Sequence, residues 1–284
     1  MKTKWIVENF THESSYMDLV KAIKNANMEV KQINQDFKFS DLDGYNQDCP
    51  VMFLGSIEMT NLALKQLKNC YPVAYCNQVN YLCSNYISHF GKHLFNDKYA
   101  MMTLSELQRQ KFLYYGIFGK EAMLFVRPDS GQKTFQAQLI DLLDIDRFVN
   151  NHSDELHKLV LVSSPKNIRG EWRFVVSNRK DIIACSTYRY QGQITRIPSA
   201  PQGATELVKE ILNIEYYPDS VFCVDICEAD DNRFYLLELN SFSSAGLYEC
   251  NKPNIVQKVS IIAEEDWRQW LETTNSIKQY KQSF

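Results

Sequence analysis

Residues 224–248, VDICEADDNRFYLLELNSFSSAGLY, decide how this chain is read. An apolar run, Val221-Phe222-Cys223-Val224-Asp225-Ile226, contains one carboxylate; residues 228–233 form a polar turn, and a second apolar run ends in Glu238-Leu239-Asn240. Two such runs across a short turn predict a β-hairpin. Alternate residues of a strand share a face, so Glu238 and Asn240 project together, and the partner strand can bring Asp225 beside them. Carboxylates inside apolar strands are costly unless they are paired or hold a cation. Two carboxylates and an amide oxygen make a hard-oxygen set suited to magnesium, which keeps some waters and takes further ligands from substrate phosphates. The other account is that Asp225 and Glu238 are counter-ions of arginine or lysine, and the residues alone leave both open.

Working outward, composition sets bounds. At 284 residues the chain can bury a substantial core, in one large or two modest domains. Its 45% hydrophobic and 23% charged content is that of a globular protein, and a net charge of -3 gives no general electrostatic case for nucleic acid. The apolar stretches are too short to span a bilayer, and MKTKWIVENF lacks the apolar region of a secretory signal. Cysteines 49, 70, 76, 83, 185, 223, 227 and 250 stand singly with no CxxC pair, so the expectation is a reducing cytoplasm, with neither a disulfide scaffold nor a zinc site. His89 and His93 are four apart but lack the glutamate of an HExxH helix.

Upstream, apolar spacing predicts strands at 5–7, 30–33, 51–54 and 73–75 alternating with helices at 16–27 and after Gly55-Ser56, which is a small parallel sheet flanked by helices. Gly55-Ser56 lacks the glycine spacing of a phosphate loop. The domain boundary is soft, between residues 86 and 97, dividing the chain into 1–92 and 93–284. Beyond it a helix is expected at 104–115 and a strand at 122–126 that delivers Arg127 to the turn Pro128-Asp129-Ser130-Gly131-Gln132-Lys133, with 135–140 returning as its partner. Flexible backbone amides with Arg127 and Lys133 suit a polyphosphate; a surface hairpin with two solvated cations is the plainer account. Strands follow at 159–162, at Glu171-Trp172-Arg173-Phe174-Val175-Val176 and at 182–188, then a helix at 204–212, the hairpin, and an amphipathic helix at 256–271 with Ile261, Ile262, Trp267 and Trp270.

In this order the parts resemble the ATP-grasp superfamily. The matching pieces are Asn96-Asp97-Lys98, Arg127 to Lys133, Leu161 to Ser164, Glu171-Trp172-Arg173, Asp225 and Glu238-Leu239-Asn240; RPDSGQK, EWRFVV and LLELNSFSSAGLY are similar to a divergent clade of phages and bacteria with arginine where lysine is usual at position 127. The phosphate loop departs from the family form in being poor in glycine. The resemblance implies an α/β (α+β) ATP-grasp fold: an N-terminal Rossmann-like pre-ATP-grasp domain, then two α+β subdomains gripping the nucleotide, a lid at about 100–162 and a metal-binding subdomain at about 163–284. It implies ATP and one or two magnesium ions, or manganese, on Asp225, Glu238 and Asn240. Lys98, Arg127 and Lys133 would hold phosphates, the backbone near Val162 and Ser163 the adenine, and Glu171 would line the nucleotide site. Arg173 would be the catalytic residue, offsetting charge on the transferred phosphoryl group. The implied activity is a carboxylate-amine, or carboxylate-thiol, ligase working through an acyl-phosphate on a small-molecule or peptide carboxylate and an amine acceptor. A kinase-type phosphotransferase or a non-catalytic nucleotide-binding module is the alternative. Arg189 and Arg196 could receive an anionic substrate, and Ser243 and Ser244 border the acceptor; solvated arginines and a flexible turn are the plainer accounts. A homodimer is compatible with everything read here.

Overall fold

The computed structural model describes residues 2–9, 14–42, 45, 48–132 and 134–282. Three sheets carry the chain. The first is parallel, in the order β2-β1-β3-β4, from β1 (Lys4–Glu8), β2 (Val30–Ile33), β3 (Val51–Leu54) and β4 (Pro72–Val73). Helices α1 (Ser14–Asn25) and α2 (Ile57–Gln66) connect them. Because both faces are covered, Val51–Leu54 is apolar at every position: Met52 and Leu54 pack with α1, Val51 and Phe53 with α2. Ser56 starts α2, its Oγ accepting the Met59 amide at 3.2 Å.

After α3 (Cys83–Phe90) comes a four-stranded antiparallel sheet, order β5-β8-β6-β7, built from β5 (Tyr99–Thr103), β6 (Met123–Pro128), β7 (Gln138–Asp141) and β8 (Leu159–Ser163). Two helices, α4 (Leu104–Arg109) and α5 (Lys111–Phe118), stand where one was expected; the helix breaks at Gln110 and runs past Gly116. Together with α6 (Ile145–Asn150) they cover one face, over Leu124, Val126, Val160 and Val162.

The third sheet holds the hairpin. Its order is β11-β10-β9-β12-β13, from β9 (Ile168–Ser177), β10 (Ile182–Tyr190), β11 (Gln193–Ile197), β12 (Val221–Ala229) and β13 (Phe234–Ser241), with α7 (Gln202–Leu212) between β11 and β12 and α8 (Lys252–Gln282) last. Trp172, Phe174, Phe222, Val224 and Leu236 point to one face and pack against α7 and α3. On the opposite face Val175 and Cys223 join α1, α8 and the first sheet in a single core. Each large apolar side chain so buried contributes about 1.5–3 kcal/mol, which fixes the register. On α8, Ile262 and Trp267 are buried, Trp270 stacks on Tyr71 at 5.4 Å, and Ile261, expected to face inward, is 44% exposed. All eight cysteines are free thiols, and no described helix is long and apolar enough to cross a membrane.

Candidate functional site

On the face of the third sheet that is apolar under α8, the next residues along each strand are charged. Asp225 lies opposite Arg173 on one side and opposite Glu238 on the other. Arg173 donates from Nε to Asp225 Oδ1 at 2.8 Å and from Nη2 to Oδ2 at 2.6 Å, while its Nη1 donates to the Gly246 carbonyl at 3.0 Å. Asn240 bridges the two acids, its Nδ2 lying 3.0 Å from both Asp225 Oδ2 and Glu238 Oε1. Arg127 arrives from β6 of the second sheet and donates to Glu238 Oε2 at 3.1 Å and to the Leu237 carbonyl at 3.3 Å. Arg127, Glu238, Asn240, Asp225 and Arg173 thus form one chain, two ion pairs linked by a neutral amide, that joins the two sheets.

The two ion pairs differ in burial. Arg173 and Asp225 are 5% and 0% exposed, and such a pair holds only when its geometry is good and its remaining hydrogen bonds are made. Burial opposes the Arg173 charge, but the Asp225 carboxylate outweighs it and keeps the guanidinium above its ordinary range. Burial likewise opposes the Arg127 charge, and Tyr86, Cys83 and Glu238 more than restore it. Glu171, two residues before Arg173, accepts the Tyr188 hydroxyl at 2.8 Å and faces Arg189 at 3.5 Å. Burial raises its carboxyl pKa above the usual range; the Tyr188 bond and Arg189 oppose this, and the charges of Asp225 and Glu238 add to it.

Beside Arg173 stands an aromatic wall that the sequence did not mark. Tyr188 and Tyr248 stack at 4.9 Å with 17° between their planes, and the Arg173 guanidinium lies 5.8 and 5.2 Å from their centroids. Tyr248 has φ +44°, in the left-handed region that a bulky side chain rarely adopts, and its carbonyl accepts the buried Lys252 ammonium. No spacing rule flags a tyrosine for this role.

The other expected residues are placed as follows. Lys98, just before β5, is exposed and makes no ion pair among the described residues; its neighbour Asp97 holds Lys166 at 2.8 Å. Val162 and Ser163 lie in the central strand β8, their backbones inside the ladders to β5 and β6, with the Val162 side chain in the core under α4 and α6. The ladders therefore occupy the backbone expected to meet a base, and the free peptide groups begin beyond Ser163. A pocket of about 400 Å³ opens beside that β8–β9 connection, lined by Phe95, Asp97, Lys166, Asp230 and Tyr235. Lys133 lies outside the described residues. Ser243, expected to border the acceptor, is a structural residue: it is fully buried, its Oγ accepts the Tyr75 amide at 3.0 Å, and its carbonyl accepts the Gly55 amide at 2.9 Å. Ser244 is partly exposed and bonds Ser241. Arg189 is engaged by Glu171.

Among the described residues no group of three or more His, Cys, Asp or Glu side chains is arranged to hold a metal ion. The donor set is instead two carboxylates and an amide, and they are not equivalent. The Glu238 side chain is 20% exposed, and its bonds to the Arg127 guanidinium and the Asn240 amide are ones that a hydrated divalent ion can replace. Among the described residues no donor is bonded to Asn240 Oδ1, which is left to offer. The Asp225 side chain is 1% exposed, with both oxygens taken by Arg173. Glu238 and Asn240 therefore fit a hard divalent cation, and Asp225 behind them is first the counter-ion of Arg173, so the arginine-pairing account of the carboxylates describes the arrangement seen.

Comparison with known proteins agrees with this architecture. Residues 102–258 match the family model described as ATP-grasp domain, R2K clade family 2. No curated protein matches the sequence. Among solved structures, the D-cycloserine synthetase DcsG superposes with a TM-score of 0.61 at 10% identity, covering 91% of this chain and 99% of that one. The macrocyclase MdnC of Microcystis aeruginosa, bound with its precursor peptide MdnA, gives 0.59 at 13% identity over 92% and 99%. The D-alanine–D-alanine ligase of Bacillus anthracis gives 0.54 at 12% identity over 99% of each chain. At these identities the structures establish a shared fold.

Proposed function

This chain belongs to the ATP-grasp domains of R2K clade family 2, and on that premise we propose that it is an ATP-dependent ligase joining a carboxylate to an amine through an acyl-phosphate. The observation that carries the reading is the Arg127–Glu238–Asn240–Asp225–Arg173 chain, which sets two arginines and two carboxylates where two sheets meet. The second sheet serves as the lid, about 100–162, and the third as the magnesium-binding part, about 163–284, behind a pre-ATP-grasp unit at 1–92. The matched relatives include enzymes named for a D-alanine–D-alanine ligase, a cycloserine synthetase and a peptide macrocyclase, which favours small-molecule or peptide carboxylates.

In the first step a carboxylate oxygen of the substrate bonds to the γ-phosphorus of ATP as the bond to the β-phosphate oxygen breaks, giving an acyl-phosphate and ADP. In the second an amine bonds to the acyl carbon, phosphate leaves, and the amine's proton passes to solvent. Magnesium, when held by Glu238, Asn240 and the Asp225 side of the site, would neutralise phosphate charge. Arg127 places fixed positive charge at the polyphosphate, and Arg173 balances the carboxylate as it is phosphorylated; phosphoryl transfer is catalysed chiefly by such positioning and electrostatics. Asp225 keeps Arg173 charged and oriented. The test has two parts. A non-hydrolysable ATP analogue must stabilise the protein against heat only with magnesium, and ATP with pools of metabolites and peptides must yield condensation products by mass spectrometry. A product heavier by one phosphoryl group alone marks a kinase-type phosphotransferase, and no magnesium-dependent stabilisation sinks the nucleotide site.

A further inference from the structure

Two of the arginines near the site have carboxylate partners within the protein: Arg173 has Asp225, and Arg189 has Glu171 at 3.5 Å. Arg196, on the edge strand β11, forms no ion pair among the described residues and is exposed, with its guanidinium over the Tyr248 ring at 5.9 Å. The same ring carries Arg173 at 5.2 Å, so the two guanidinium carbons lie no farther apart than the sum of those distances. That ring is fixed from several sides. Tyr188 stacks on it, Lys252 ties down its carbonyl, and the backbone is held at positive φ. Strain of this kind persists only where the surroundings enforce it, and it concentrates at ligand sites. Among the described residues Arg173 makes three hydrogen bonds from a fork of five N–H donors, which leaves part of the fork for a ligand. Of the nearby acids, Glu171 is already bonded to Tyr188, and Glu249, which follows Tyr248, is exposed to solvent.

Resting on the ligase reading, we propose that Arg196 and Tyr248 form a second anion subsite, so that the substrate is a dicarboxylate. One carboxylate is balanced by Arg173 and activated, while the other is held by Arg196 across the Tyr248 ring. A free dicarboxylic acid and a peptide whose acidic side chain stands beside its C-terminal carboxylate share this chemistry.

Succinate, glutarate, acetate, butyrate and N-acetylglutamyl-glycine are titrated by calorimetry, with and without magnesium and a non-hydrolysable ATP analogue. The subsite requires the dicarboxylates or the peptide to bind more tightly than the monocarboxylates. It also requires Arg196→Gln, an exposed edge-strand change, to weaken only the former by roughly tenfold or more, the loss of one charge-assisted hydrogen bond. Preference for the peptide over glutarate assigns the acid to a peptide, and the reverse assigns it to a free acid. Equal binding of mono- and dicarboxylates, or an unchanged preference in Arg196→Gln, overturns the subsite. If the nucleotide analogue fails to bind while the Arg196-dependent preference persists, the ligase reading falls and the subsite stands.

Discussion

Asp225 and Glu238 are both acids on facing strands, yet substitution should separate them. Asp225 is sealed against Arg173, and removing one partner of a buried pair leaves an uncompensated charge. Asp225→Asn is expected to cost about 3–5 kcal/mol in urea denaturation. Any loss of nucleotide binding in that variant would then report unfolding as much as a lost ligand. Glu238 is one-fifth exposed and shares its bonds with Arg127 and Asn240. Glu238→Gln should cost no more than about 2 kcal/mol while abolishing the magnesium-dependent heat stabilisation by an ATP analogue. Glu238→Gln that keeps this stabilisation, measured by thermal shift, excludes Glu238 as a metal donor.

At the scale of elements, the sequence was informative where periodicity was strong. The hairpin could be read because two apolar runs flank a polar turn, and its register does set Asp225 opposite Glu238. The edge strands β5 and β11 were not readable: YAMMT and QITRI are short, and only their partners β8 and β10 make them strands. The arginine partners were equally hidden, since Arg127 and Glu238 lie 111 residues apart and meet only when two sheets pack. Gly55-Ser56 lacks the spacing of a phosphate loop, and the role of Gly55 is spatial: a Cβ there would lie 2.6 Å from Glu8 Oε2, itself bonded to the Ser56 amide. Gly55→Ala should lose about 1–3 kcal/mol by crowding this turn, read as a lower urea midpoint with unchanged slope. The loop before β12 adds a pH-dependent contact. Burial pushes the Asp219 carboxyl up to about 7, although the Asn77 amide donates to it at 3.0 Å and opposes the shift. A carboxyl raised in the folded state contributes stability that is complete below its unfolded value near 4 and is lost as pH rises through about 7. The wild type should therefore lose more thermal stability than Asp219→Asn between pH 5 and pH 8, and parallel Tm profiles would contradict that placement.

For the whole molecule, the consequential arrangement is how the second sheet is fastened to the rest. Arg127 ties it to the third sheet through Glu238 and the Leu237 carbonyl. Asp129, two residues on, ties it to the start of α3: its Oδ1 accepts the Ser84 amide at 2.8 Å and its Oδ2 the Ser84 hydroxyl at 2.6 Å. At Gly131 an added Cβ would lie 2.8 Å from the Tyr81 Cβ, so the turn sits directly on the segment before α3. On the reading proposed above the second sheet is a lid, and to admit and release nucleotide it has to break some of these contacts; the exposed Asp129–Ser84 pair is the easier to lose because water can replace it. Asp129→Ala should therefore speed amide exchange in β6 and β7 several-fold, about 1 kcal/mol of local opening, while leaving β9 and β12 in the buried centre of the third sheet unchanged. In Arg127→Met the same strands should open further, because two inter-sheet hydrogen bonds go at once, and nucleotide should no longer slow their exchange. Uniform acceleration across all three sheets in Asp129→Ala would mean that the lid does not open by itself and that the molecule unfolds as one unit.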